Sequence, residues 1–152
     1  MILTQILQPD CVKVPVQAND KEGVITELVD LLSEHRLLRN RDVVLQAVLA
    51  RERTRSTGIG AGVAVPHGKC DGVEELIMAL GIAAEPIDFG SIDGHPVKII
   101  VLLVSPSDRT GPHIQALAQI SRLMLDGQLK LKLEQVTSAA EVYQLIMEKE
   151  SQ

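Results

Sequence analysis

Two stretches of this chain are apolar almost without a break: Leu76-Ile77-Met78-Ala79-Leu80-Gly81-Ile82 and Val97-Lys98-Ile99-Ile100-Val101-Leu102-Leu103-Val104. Runs of strand length without alternation predict strands covered on both faces. Pro106 closes the second run. Val12-Lys13-Val14-Pro15-Val16 alternates instead, and Pro15 cannot donate to a ladder, so that strand belongs at a sheet edge or stops early. Val63-Ala64-Val65 predicts another short buried strand, ended by Pro66. Between the two long runs, Ile87 to Gly94 is rich in turn residues, and Asp93-Gly94 signals a hairpin.

Elsewhere the apolar positions recur at helical spacing. Asn19 followed by Glu22 fits a capping box ahead of Val24, Ile25, Leu28, Val29, Leu31 and Leu32, and this helix ends near His35-Arg36. Asn40 suits the N-cap of a second helix from Arg41 to about Arg53, with Val44, Leu45, Val48 and Leu49 inward. Ile114, Leu117, Ile120, Leu123 and Met124 predict a third helix over His113–Leu125, its stripe in the core, and Leu129–Glu134 a short fourth. Ser138 with Glu141 caps a last helix through Val142, Leu145, Ile146 and Met147. Helices that precede, interrupt and follow buried strands predict one α/β domain over residues 1–152, a layered sandwich with a mixed central β-sheet flanked by helices.

Composition narrows the function. A chain of 152 residues buries enough surface, roughly 68–70%, to need no staple. Phe89 and Tyr143 are the only aromatic residues, so the core is aliphatic and no stacking platform exists for single-stranded nucleic acid. A net charge of -5 also disfavours a phosphate backbone as partner, yet suits docking to a basic protein surface. Cys11 and Cys70 lack paired spacing and read as reduced thiols. No basic leader precedes the first apolar residues and no run approaches the roughly 20 apolar residues of a membrane helix, so a soluble, cytoplasmic protein without membrane insertion is expected.

Candidate chemistry concentrates in Arg51–Cys70, R-E-R-T-R-S-T-G-I-G-A-G-V-A-V-P-H-G-K-C. Gly58, Gly60 and Gly62 permit a tight turn and an open approach, but their spacing is not the dinucleotide fingerprint, and Gly68-Lys69-Cys70 is not a P-loop. His67, between Pro66 and Gly68, is expected where a strand gives way to an open turn, with support behind the ring and access in front. His113 lies at a helix start, after a loop containing Arg109, where free N–H groups favour an anion. The two imidazoles meet if the last long strand neighbours Val63–Val65. Three chemistries are then open. A metal site from His67, Cys70, His95 and His113 matches no strong zinc spacing. A hydrolase on Ser56 or Thr57 lacks a nucleophile elbow. Phosphoryl capture on a histidine needs one neutral ring nitrogen and surrounding donors, with no metal and no cofactor. His35 is read as a helix-end residue, His95 as a loop residue, and Asp88 and Asp93 as turn formers.

S-T-G-I-G-A-G-V-A-V-P-H-G-K resembles the phosphorylation-site motif of IIA components of the bacterial phosphoenolpyruvate phosphotransferase system, in the fructose/mannitol and nitrogen-regulatory group. Arg51-Glu52, I-D-F-G-S-I-D-G-H-P-V and H-I-Q-A-L-A-Q-I-S-R-L-M follow the family's order across nearly the whole chain. The resemblance implies an α/β sandwich in which His67 accepts a phosphoryl group from the phosphorylated histidine carrier HPr. It implies that His113 supports the phosphohistidine by hydrogen bonding and that Arg51 adds charge nearby. It also implies a downstream partner, either a regulatory target or a IIB component with an acceptor cysteine. A single domain without a fused IIB or HPr part favours the nitrogen-regulatory reading over the sugar-specific one. A regulator that binds partners without carrying phosphate is the alternative from another class.

Overall fold

The computed structural model describes residues 1–152. After a 3-10 turn at Leu3–Gln5 come β1 (Leu7–Val16), α1 (Lys21–Glu34) and α2 (Arg41–Thr54). Three short strands follow, β2 (Gly58–Gly60), β3 (Val63–Ala64) and β4 (His67–Lys69), then the long β5 (Ile77–Ile87) and β6 (Val97–Ser105). The chain ends with α3 (Thr110–Met124), α4 (Gly127–Glu134) and α5 (Ala139–Glu150). The sheet is mixed, in order β1-β5-β6-β3-β2, with β4 also on β6. β5 and β6 run antiparallel, while β1 joins β5, and β3 and β4 join β6, in parallel. This is the α/β sandwich that the apolar pattern predicts.

Both long strands are buried along most of their length, as expected for the middle of a covered sheet. β1, with Pro15, is an edge strand paired only to β5. The two faces of β6 separate cleanly by the strand's period of two. Gly81 is the Cα partner of Ile100, and a Cβ on it would lie 2.6 Å from Val16 Cγ1 of β1 and 3.2 Å from Leu28 Cδ2 of α1. Gly68 partners Val104, an even step from Ile100, and a Cβ on it would sit 3.2 Å from the Val48 amide nitrogen of α2. So α1 and α2 cover this face, while α3, with α4 and α5 beside it, covers the other.

Three expectations need correction. The cap of α1 is Asp20, whose side chain accepts the Gly23 N–H at 2.8 Å, rather than Asn19; Glu22 pairs with Arg53 on α2 at 3.1 Å instead of reaching back to the cap. Pro66 does not end the ladder. It lacks an N–H, but its carbonyl accepts from Leu103 at 3.0 Å, and the chain resumes pairing with β6 as β4. His67 therefore stands on a strand, not in a turn. The caps expected at Asn40 and Ser138 are present, accepting from the Val43 and Glu141 amides. Of the α3 stripe, Ile120, Leu123 and Met124 are buried, whereas Ile114 is exposed.

Candidate active site

β4 sets the site by its alternation. His67 and Lys69 point to one face of the strand and Gly68 to the other. On the Gly68 side, the missing Cβ lets the Ala47–Val48 turn of α2 press onto the strand. Arg51 follows Ala47 by four residues and Val48 by three, so it shares their face of the helix and lines the same cleft as His67. Arg51 also closes the helix end by donating from Nη1 to the Arg55 carbonyl at 2.8 Å. On the His67 side lies α3. His113 heads its buried stripe, only 6% exposed, and its Nδ1 sits 2.7 Å from the Oγ of Ser105, the last residue of β6. The His67 and His113 rings face each other with centroids 5.6 Å apart and planes tilted by 56°. Since β3 and β4 both pair with β6, the strand neighbourhood that joins the two imidazoles is present.

The hydrogen bonds fix much of the proton arrangement. His67 Nδ1 is 2.8 Å from the Val65 carbonyl, which can only accept, so Nδ1 carries the hydrogen and Nε2 keeps its lone pair. Burial pushes the His67 imidazole below its ordinary value; the Val65 carbonyl and Glu52 oppose this and Arg51 adds to it. His113 is pushed down to about 4, by burial first, then by His67 and the Lys69 ammonium. Both rings are neutral at pH 7. Lys69 is held toward α3 by donating to Thr110 Oγ1 at 3.3 Å.

A cleft of about 760 Å³ opens in front of His67. Its walls include Arg51 and Arg55 on one side and the Gly58–Ala61 segment, Ile92 and Asp93 on another. Ile59, Ile92 and Leu125 give this wall an exposed apolar rim, with Ile92 82% exposed. Ahead of β2, the buried Glu52 carboxylate accepts from the Thr57 N–H at 2.7 Å and from the Thr57 hydroxyl, with Lys21 Nζ 3.5 Å away. Ser56 donates to the Phe89 carbonyl at 2.6 Å. Neither hydroxyl is bonded to an imidazole, so the hydrolase arrangement is not assembled. Cys70 is buried at the end of β4, and His95 lies 3.8 Å from Asp93 in the exposed β5–β6 connection. No three His, Cys, Asp or Glu side chains are grouped to hold a metal ion. Asp93 shapes turns, as expected, accepting from the Ala61 and His95 amides.

Lys69, Ser105 and Glu52 were not singled out as functional from the sequence. Lys69 had a usable signal, its period-two spacing from His67, hidden because Pro66 suggested a turn. Ser105 and Glu52 carry no periodic mark, since each matters only through a partner brought in by tertiary structure.

The site holds a ring nitrogen that keeps its lone pair, a second imidazole beside it and guanidinium charge at the rim, on a fold that known proteins share. A family model described as "Phosphoenolpyruvate-dependent sugar phosphotransferase system, EIIA 2" matches residues 5–149. A nitrogen regulatory protein of Bradyrhizobium diazoefficiens is 32% identical, covering 96% of this chain and 95% of its own. The fructose-specific EIIABC component of Bacillus subtilis is 30% identical over 96% of this chain, which spans only 23% of that larger protein. The crystal structure of nitrogen regulatory protein IIA-Ntr from Neisseria meningitidis superposes with a TM-score of 0.86 at 31% identity, covering 93% of this chain and 97% of that one. With sequence likeness along nearly its full length and the same fold beneath it, this chain belongs to the EIIA type 2 family of the phosphoenolpyruvate-dependent phosphotransferase system.

Proposed function

We propose that the chain is a phosphoryl carrier in which Nε2 of His67 takes the phosphoryl group from the phosphohistidine of an HPr-type protein. The observation that carries this reading is the Nδ1···Val65 carbonyl hydrogen bond, which leaves Nε2 as the free, neutral nucleophile beside His113. In the transfer the donor's P–N bond breaks as the Nε2–P bond forms, in line, and the donor nitrogen leaves with the electron pair. The ring of His67 becomes cationic, its remaining proton held against the Val65 carbonyl; return transfer restores the neutral ring. We assign the Ser105 hydroxyl, 2.7 Å away, as the donor to Nδ1 of His113; that ring then keeps its hydrogen on Nε2 and hydrogen-bonds a phosphoryl oxygen through it. Arg51 supplies fixed positive charge at the same cleft. No metal or cofactor enters the step.

Among downstream roles, regulation by phosphorylation state is favoured. Relatives named nitrogen regulatory protein match this chain at 32% identity over 96% of its length, and the IIA-Ntr structure shares its fold at 31% identity; a fructose-specific EIIA component of Haloferax volcanii is 34% identical over 84% of the chain. Phosphorylation adds about -1.5 to -2 charges at one place on the surface, enough to change which partner docks. Transfer to the cysteine of a sugar-specific IIB is the second reading, supported by the fructose-specific relative. No helix is long and apolar enough to cross a membrane, in keeping with a cytoplasmic carrier. The test is label transfer from phosphoenolpyruvate through enzyme I and HPr. The wild-type chain is expected to take an acid-labile, base-stable label that His67→Ala does not take. A wild-type chain that stays unlabelled contradicts the reading and leaves a purely partner-binding regulator. Adding fructose or mannitol IIB separates the two roles: movement of label to its cysteine supports the sugar-specific one.

A further inference from the structure

The turn between β2 and β3 carries an alanine in a glycine's conformation. Ala61 stands at φ +56°, between Gly60 at +96° and Gly62 at +82°. An L residue stays in the left-handed region only where its surroundings hold it there. Here two side chains from distant segments hold both polar groups of Ala61. Asp93 Oδ2, from the β5–β6 connection, accepts its N–H at 2.9 Å, and Lys130 Nζ, from α4, donates to its carbonyl at 2.8 Å. Each arm is itself anchored. Asp93 Oδ1 accepts the His95 N–H at 3.0 Å, and Lys130 projects from a helix whose Leu129 and Leu133 are buried, with Glu134 3.7 Å from its ammonium. Gly60 suits its place beside the clasp because its φ of +96° is one that L side chains rarely adopt, and a Cβ there would also lie 3.1 Å from Asp93 Oδ2.

The segment so held is functional ground. Gly58 to Ala61, with Ile92 and Asp93, form a wall of the cleft that contains His67, while Lys130 is not part of that wall. We propose that Lys130 and Asp93 are positioning residues that lock the glycine turn as a preformed docking wall for the phosphoryl-donor protein. A wall already in its bound shape spares the donor the cost of ordering it on association. The clasp therefore governs how well a protein donor engages and leaves the reactivity of the His67 ring alone. This rests on the carrier reading above.

The test compares two donors on the full chain: phospho-HPr, which must dock, and phosphoramidate, which needs only an accessible imidazole. Lys130→Met keeps the aliphatic stem and removes the donor. It is expected to raise the KM for phospho-HPr by about 5- to 10-fold, with the phosphoramidate rate unchanged and amide exchange faster at residues 60–62. Lys130→Arg, which keeps a donor, is expected to restore most of the KM. Should Lys130→Met not fold, Asp93→Ala takes the same KM and exchange measurements. An unchanged KM, unchanged exchange at the turn, or an equal slowing with both donors overturns the proposal. If the wild-type chain accepts nothing from phospho-HPr, the carrier reading falls and this inference with it; if it accepts normally and the variants match it, only the clasp falls.

Discussion

At the scale of single residues, the chemistry depends on where two protons sit. The Val65 carbonyl keeps one on Nδ1 of His67, and burial keeps the ring neutral to lower pH than free histidine. The fall in phosphorylation rate on acidification should therefore come at lower pH than an unperturbed imidazole would give, a shift that stopped-flow transfer would record. His113, pushed down to about 4, binds a proton less readily in the fold than in the unfolded chain, whose value is near 6.5. The unfolded state binds more protons across that window, so the contribution to stability is full above pH 6.5 and is lost as pH falls toward 4. His113→Gln should flatten the dependence of Tm on pH in that window and slow phosphoryl transfer about 10²–10³-fold. Lys69→Gln should raise the His113 pKa, measured by NMR, because the ammonium holds it down; an unmoved value would place Lys69 outside the site.

At the scale of elements, β4 shows why part of the site was hidden in the sequence. Pro66 removes one donor, and a proline after Val63-Ala64-Val65 reads as a strand end. Yet β6 is nine residues long and offers acceptors and donors past that point, so the chain takes up pairing again one residue later. Local chemistry could place His67 after a strand; only the partner strand's length could place it on one. Gly68 illustrates the same dependence. Its alternation with His67 is visible in sequence, but the reason for glycine is α2, whose backbone lies 3.2 Å from the position of a Cβ. Gly68→Ala should destabilise the protein by about 1–3 kcal/mol, read by urea titration, by forcing α2 off the strand. The cap of α1 was misplaced by one residue because Asn19 and Asp20 are both good caps, and only the turn from β1 selects between them. Asp20→Ala should cost about 1 kcal/mol and Asn19→Ala less than about 0.5. Equal losses would argue for a shared cap.

At the scale of the molecule, the sheet and its layers were legible because they follow from burial alone. Two near-continuous apolar runs predict central strands, the proline-bearing alternating strand is expected at an edge or to stop early, and amphipathic helices are there to cover the faces. The union of His67 with His113 was conditional on strand order, which no local pattern specifies; β3 and β4 both pair with β6, and α3 follows β6 after a four-residue connection. That order places a rigid strand, a buried helix stripe and the exposed glycine turn around one cleft, in a chain whose net charge is -5. The most direct test of the account is to phosphorylate the ring-labelled protein through enzyme I and HPr and read phosphorus–nitrogen coupling by NMR. The account predicts a single phosphoryl group on Nε2 of His67, with Nδ1 still protonated against Val65. Phosphate on Nδ1 of His67, or on His113, would contradict it.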